Sequence, residues 1–194
     1  MARLVGLFKE LGLNEHLVVE GRIIVPTIFV REVKVKKFMG HEKKGFPFSY
    51  LVSNVFLTNR RLMFLIFQEL EALVLQKKGI PSLVGIEGSW FEIPTSAIYN
   101  VEVARKELRK DKKMREVFPT LSKHETVSTV EIFYNGQRAS GKLKEYIESI
   151  FSRDGMTKRF NLKNIEATFD KVQLLGEQTV GLVPKLKEFS KFKS

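Results

Sequence analysis

Two apolar runs, residues 52–57 and 62–67, are divided by the polar stretch Thr58-Asn59-Arg60-Arg61. This division predicts a β-hairpin that reverses at residues 58–60, because Asn tolerates the left-handed conformation of tight turns and Thr and Asn side chains hydrogen-bond nearby backbone. The second arm is apolar at every position. Leu62, Phe64 and Ile66 alternate with Met63, Leu65 and Phe67, so both faces of that strand require cover.

The same alternation predicts further strands before and after the hairpin. Residues 18–30 are β-branched and interrupted by Pro26, which suits an edge or a bulge. Residues 31–35 alternate valine with charge, as in a half-exposed strand. Residues 37–47 hold Gly40, Gly45 and Pro47 among lysines and read as a polar loop. Residues 89–94 and 97–103 predict two short strands around a turn at 94–97, and residues 126–134 predict another that ends at the turn pair Asn135-Gly136.

Helical spacing marks both ends of the chain. Leu4, Leu7, Phe8 and Leu11 share one helical face, read as a packed helix, with an interfacial membrane anchor as the other reading. Leu143, Tyr146, Ile147, Ile150 and Phe151 form a second face after Ser140, a candidate cap. Asn161 caps a third, with Leu162, Ile165, Phe169 and Val172 in one stripe that Leu182, Leu186 and Phe189 continue. Gly176, Gly181 and Pro184 divide that tail into two helical pieces.

Composition narrows the chemistry. With 194 residues, 43% hydrophobic content and 16 phenylalanines, the chain can bury a sizeable core. It has no cysteine, which excludes disulfides, thiolate metal sites and cysteine nucleophiles and suits a cytoplasmic setting. His16, His41 and His124 show no metal-ligand spacing, so neither a metal nor a cofactor is expected. No phosphate-cradling loop, nucleophile turn or zinc-protease pattern is present, and the expectation is a protein that is not an enzyme. The longest unbroken apolar run, residues 62–67, is far short of a membrane-spanning helix, and residues 1–11 lack the pattern of a secretory signal.

The net charge of +11 is unevenly distributed. Residues 31–44 carry Arg31, Lys34, Lys36, Lys37, Lys43 and Lys44 against Glu32 and Glu42. Residues 105–115 carry Arg105, Lys106, Arg109, Lys110, Lys112, Lys113 and Arg115 against Glu107 and Asp111. Residues 69–104, between them, are net acidic. If the two basic segments converge, they form a patch for a phosphate-rich surface, and ordinary solvation is the alternative. Arg60 or Arg61 could add an anion contact at the hairpin, with Arg60 the candidate site residue, although an arginine beside a turn is more often held by carbonyls or a local carboxylate.

Three ordered segments carry a family resemblance: Glu20-Gly21-Arg22, the stretch from Leu57 through Thr58, Asn59, Arg60 and Arg61 to Phe64, and Phe91-Glu92-Ile93-Pro94 leading through Ile98 to Val103. In these the chain resembles the pleckstrin-homology-like superfamily, in its GRAM and bacterial branches, over roughly residues 15 to 135 or 150. The resemblance implies an α+β, mainly β fold: a strongly bent antiparallel sheet of about seven strands, an open barrel capped by a C-terminal helix. Residues 143–151 are the expected cap. On this reading residues 1–152 form the domain, with an N-terminal helix and insertions near 68–88 and 104–125, and residues 153–194 form a helical extension.

The implied function is a non-catalytic binding or adaptor module, docking on an anionic lipid surface or a protein partner. The implied location is cytoplasmic, with peripheral contact at the inner membrane face. The C-terminal helices offer a route to homo-oligomers. The Arg-x-Arg pattern of phosphoinositide-binding members is replaced here by Ser49, Tyr50 and Leu51, so diffuse charge is expected to do the binding. The competing reading is a basic nucleic-acid-binding protein that uses the second basic segment. No aromatic residues are interleaved there as stacking platforms.

Overall fold

The computed structural model describes residues 11–19, 23–37, 40–69, 89–107, 126–142 and 170–190. Seven strands form one antiparallel sheet: β1 (Ile23–Lys37), β2 (Gly40–Leu57), β3 (Arg61–Glu69), β4 (Trp90–Pro94), β5 (Ile98–Glu107), β6 (Thr126–Tyr134) and β7 (Lys171–Leu175). A single described α-helix, α1 (Leu182–Phe189), follows. The fold is thus mainly β.

The strand order β4-β3-β2-β1-β7-β6-β5 puts β4 and β5 at opposite edges. Yet these two strands are joined only by the 3₁₀ turn Thr95–Ala97. Laid flat, six interstrand steps would separate them by roughly 29 Å, whereas the four residues from Pro94 to Ile98 reach about 14 Å at most. The sheet must therefore bend back on itself. The aromatic core reports the same curvature, because Phe91 of β4 lies 5.0 Å from Phe29 of β1 and 6.2 Å from Tyr134 of β6, ring centre to ring centre. The sheet remains open between β4 and β5, which belong to opposite ends of the hydrogen-bonded order.

The expected hairpin is present, with β2 ending at Leu57 and β3 starting at Arg61. Leu62, Phe64 and Ile66 enter the main core, while Met63 and Leu65 form a second cluster with Phe56, against which Leu11 packs. Both faces of the strand are covered where described. The local reason for the turn differs in part from the sequence reading. Asn59 does not adopt a left-handed backbone, since Asn14 is the one such non-glycine residue described. It serves instead as a bridge, its Oδ1 accepting from the His16 N–H at 3.1 Å and its Nδ2 donating to the Asn14 carbonyl at 3.1 Å.

A second expectation is corrected as well. Residues 40–47, read as a polar loop, are strand, and β1 and β2 pair continuously up to Lys37 opposite Gly40. Ladder hydrogen bonds satisfy this backbone without any need for an apolar face. Pro47 and Pro26 fit because of where they fall. Pro47 sits at a register shift facing Val30, and Pro26 lies just outside the Thr27–Val30 stretch of β1 that pairs with β7.

The third correction concerns the tail. Val172, read as the end of a helical stripe, is fully buried in strand β7, which is inserted between β1 and β6. Leu162, Ile165 and Phe169 lie outside the described residues, as do the helix expected at 143–151 and the stretches 70–88 and 108–125. Gly176, at φ 119°, reverses the chain after β7 in a conformation that favours glycine. Pro184 does not break the tail, because it falls in the first turn of α1, where a missing N–H costs nothing. Leu182 and Leu186 enter the same core as the strands, and α1 packs on β5 and the 95–97 turn.

Tyr134 is fully buried in that core. Its hydroxyl has no hydrogen-bond partner among the described residues. Burial, with the Asp170 carboxylate adding to it, pushes its pKa well above the ordinary tyrosine value. A buried unpaired hydroxyl costs about 1–3 kcal/mol. Tyr134→Phe is therefore expected to leave the unfolding midpoint unchanged or raise it. A clear loss of stability in urea would show that the hydroxyl is satisfied after all.

Candidate functional site

Among the described residues the β1–β2 ladder runs on past the pairings with β7 and β3, and this part carries the first basic segment. Its register sets Lys34 opposite Lys43, Lys36 opposite His41, Val33 opposite Lys44 and Lys37 opposite Gly40. All five lysines of the expected site thus gather at one hairpin tip. Like charges directly opposite in an antiparallel pair destabilise it by about 0.2–1 kcal/mol. This hairpin carries such a pair at Lys34 and Lys43.

The described start of the second basic segment lies on β5. Arg105 pairs with Ser128 of β6, and the β6–β7 and β7–β1 registers carry that level across to Val25 of β1. Lys34 lies nine positions further along β1, roughly 30 Å at strand rise. Lys106 neighbours Arg105 on β5 and pairs with Val127. Arg109, Lys110, Lys112, Lys113 and Arg115 are outside the described residues. Along the ladder Arg105 and Lys106, the described part of the second segment, stand apart from the lysines.

Arg60 is also remote from the lysines. It sits at the turn at the other end of β2 and is exposed. Its carbonyl accepts from the Thr95 N–H at 2.8 Å and from the Thr95 hydroxyl at 3.0 Å. That contact ties the β2–β3 turn to the β4–β5 turn.

Arg61 has the structural role that an arginine beside a turn more often takes. Its Nε donates to Glu15 Oε1 at 2.8 Å, its Nη2 to Glu15 Oε2 at 3.0 Å and its Nη1 to Glu92 Oε2 at 2.6 Å. The Glu15 side chain is only 4% exposed. Glu15 also accepts from the Gly12 N–H at 2.8 Å and from the Thr58 hydroxyl at 2.7 Å, and Glu92 accepts from the Ser140 hydroxyl at 2.8 Å. Ser140, read from sequence as a helix cap, thus serves β4, and its backbone exchanges two hydrogen bonds with Glu92, at 2.9 and 3.0 Å. Gly141, next in sequence, allows this approach, because a Cβ there would stand 2.3 Å from the Trp90 carbonyl.

This cluster joins the segment at residues 12–16, the 58–60 turn, β4 and Ser140 through one guanidinium and two carboxylates. Burial alone would raise the Glu15 pKa. The hydrogen bonds from Arg61, Gly12 and Thr58, with the guanidinium charge, outweigh it and hold the carboxyl below its ordinary value of 4.5. Arg61 is correspondingly raised: burial opposes its charge, and both glutamates more than offset that.

A group with a lowered pKa contributes stability above its unfolded value and loses it as pH falls through the folded one. Glu15 should therefore add an acid-sensitive component to stability below about pH 4.5. Thermal unfolding of the protein and of Glu15→Gln between pH 6 and pH 3 checks this. The gap between the two midpoints should narrow toward the acid end, and a gap independent of pH would exclude the carboxylate as its source.

Among the described residues no group of three or more His, Asp or Glu is placed to hold a metal ion, and no helix is long and apolar enough to cross a membrane. A structural role for an arginine at this turn is legible in the sequence, but its partners are not, since they lie 46 and 31 residues away. Compared with protein-family models, with curated proteins and with solved structures, the chain finds no match.

Proposed function

We propose that the protein is a non-catalytic docking module of pleckstrin-homology-like fold that binds anionic membrane surfaces through the tip of its β1–β2 hairpin. The observation that carries this reading is the register that collects Lys34, Lys36, Lys37, Lys43 and Lys44 on one two-stranded stretch of the described ladder. Facing lysines cost the free protein stability. An anionic surface offsets that cost, because each lysine near such a surface contributes about 1 kcal/mol of attraction. The family assignment draws its support from the order of the three sequence motifs together with a seven-stranded bent sheet and a C-terminal helix packed into its core. The nucleic-acid alternative has only Arg105 and Lys106 among the described residues behind it.

Vesicle co-sedimentation tests the proposal. The protein should partition onto vesicles of mixed neutral and anionic phospholipid at low salt, leave neutral vesicles in solution, and lose binding as salt screens the charge. The double variant Lys34→Ala, Lys43→Ala should bind roughly thirtyfold more weakly, from two lost contacts of about 1 kcal/mol each. Equal binding to neutral and anionic vesicles, or a double variant that binds as the parent does, would overturn it. Salt-dependent retention of DNA without vesicle binding would favour the alternative.

A further inference from the structure

The two-stranded stretch that holds the lysines also holds a histidine. Between residues 31 and 47 the ionisable side chains are Arg31, Glu32, Lys34, Lys36, Lys37, His41, Glu42, Lys43 and Lys44, and among these residue types only histidine ordinarily changes charge between pH 5 and pH 8. The register sets His41 directly opposite Lys36, and Lys34 opposite Lys43. Residues paired opposite one another share a face of the ladder, as do positions two apart along a strand. Positions 34, 36, 41 and 43 therefore lie on one face. Glu42 falls on the other, opposite Val35, and Glu32 shares the face but stands opposite Gly45, four positions from Lys36 or roughly 13 Å along β1. Of the described flanking strands, β3 brings Glu69 opposite Leu51, ten positions from His41, and β7 brings Lys171 opposite Val30, six positions from Lys36.

We infer that His41 makes the docking hairpin respond to pH: once protonated, it adds its charge to the three lysines of that face and strengthens attachment to an anionic membrane. The inference rests on the anionic docking proposed above for the same hairpin. A positive charge facing Lys36 disfavours the hairpin in the free protein, whereas a negative surface attracts it. Proton uptake and membrane binding therefore reinforce each other, since linkage between two binding events is reciprocal. The sign follows directly. Affinity rises as pH falls through the ordinary histidine range, about pH 6.5, and one added cation near the surface strengthens binding about fivefold.

Co-sedimentation of the full chain with vesicles of phosphatidylcholine and phosphatidylglycerol tests this at constant ionic strength between pH 8 and pH 5.5, an interval over which the lipid charge is constant. The parent should bind about fivefold more tightly at the acid end. His41→Gln should lose that dependence, and His41→Lys should bind at pH 8 as tightly as the parent does at pH 5.5. His16→Gln is the control, because His16 is exposed and held beside the 58–60 turn at the other end of β2, and it should keep the parent's profile. Binding to these vesicles that does not vary with pH, or a dependence that survives in His41→Gln, overturns the inference and leaves the docking proposal standing. Failure to bind the anionic vesicles at any pH overturns both.

Discussion

Replacing Arg61 by methionine is expected to lower stability by about 3–5 kcal/mol, the usual cost of leaving a buried charge without its partner. For a chain of this length that corresponds to a fall of roughly 10 °C in the unfolding midpoint. The effect is large because one guanidinium holds two little-exposed carboxylates: Glu15 and Glu92 are 4% and 13% exposed, and both contact Arg61 within 3.0 Å. Lysine at the same position keeps the charge but not the planar fork, so Arg61→Lys should lose an intermediate amount. Urea unfolding of the three proteins at neutral pH decides the matter. A methionine variant within about 0.5 kcal/mol of the parent would mean that water replaces the arginine at little cost.

Phe91→Ala should cost a similar amount, about 3–5 kcal/mol, for a different reason. Phe91 is 1% exposed and stands where the two ends of the bent sheet meet, touching Phe29, Phe64 and Tyr134. Its ring fills the space between β4 and β6, and the backbone cannot collapse into the void without straightening the sheet. The matching control is Val103→Ala on the exposed edge, expected within about 0.5 kcal/mol of the parent. If both substitutions cost alike, the core does not lie where the ring contacts put it.

The parts of the fold legible in sequence are those that local pattern controls. Apolar runs split by a polar stretch mark the hairpin at residues 58–60, and alternation bounded by proline or a turn pair marks the turn at 94–97 and the strand at 126–134; each is found. The parts that were illegible depend on distant partners. Lys171–Leu175 is five residues long and offers two turns of alternation at most, so Val172 fitted a helical stripe equally well. Residues 40–47 have the composition of a loop, and only pairing with residues 30–37 makes them a strand. Local cues identified Thr58 well, whose hydroxyl accepts from the Arg60 and Arg61 N–H groups. Asn59 was placed correctly and explained wrongly, because its partners Asn14 and His16 lie more than forty residues away.

For the candidate site, the basic clusters are visible as runs of lysine and arginine, but the level at which Arg105 and Lys106 stand relative to the lysines is not. Convergence depends on register carried across β1, β7 and β6, and no local feature encodes that sum.

The insertion of β7 between β1 and β6 has a consequence for how the molecule is made. Until residues 171–175 leave the ribosome, β1 and β6 each lack the neighbour that joins them, and the nascent chain holds a four-stranded and a two-stranded piece with raw inner margins. Completion of the ladder waits on contacts of very long sequence separation, which slow folding and prolong exposure to aggregation. A translational stall short of the last strand should leave a product that chaperones hold and proteases clear.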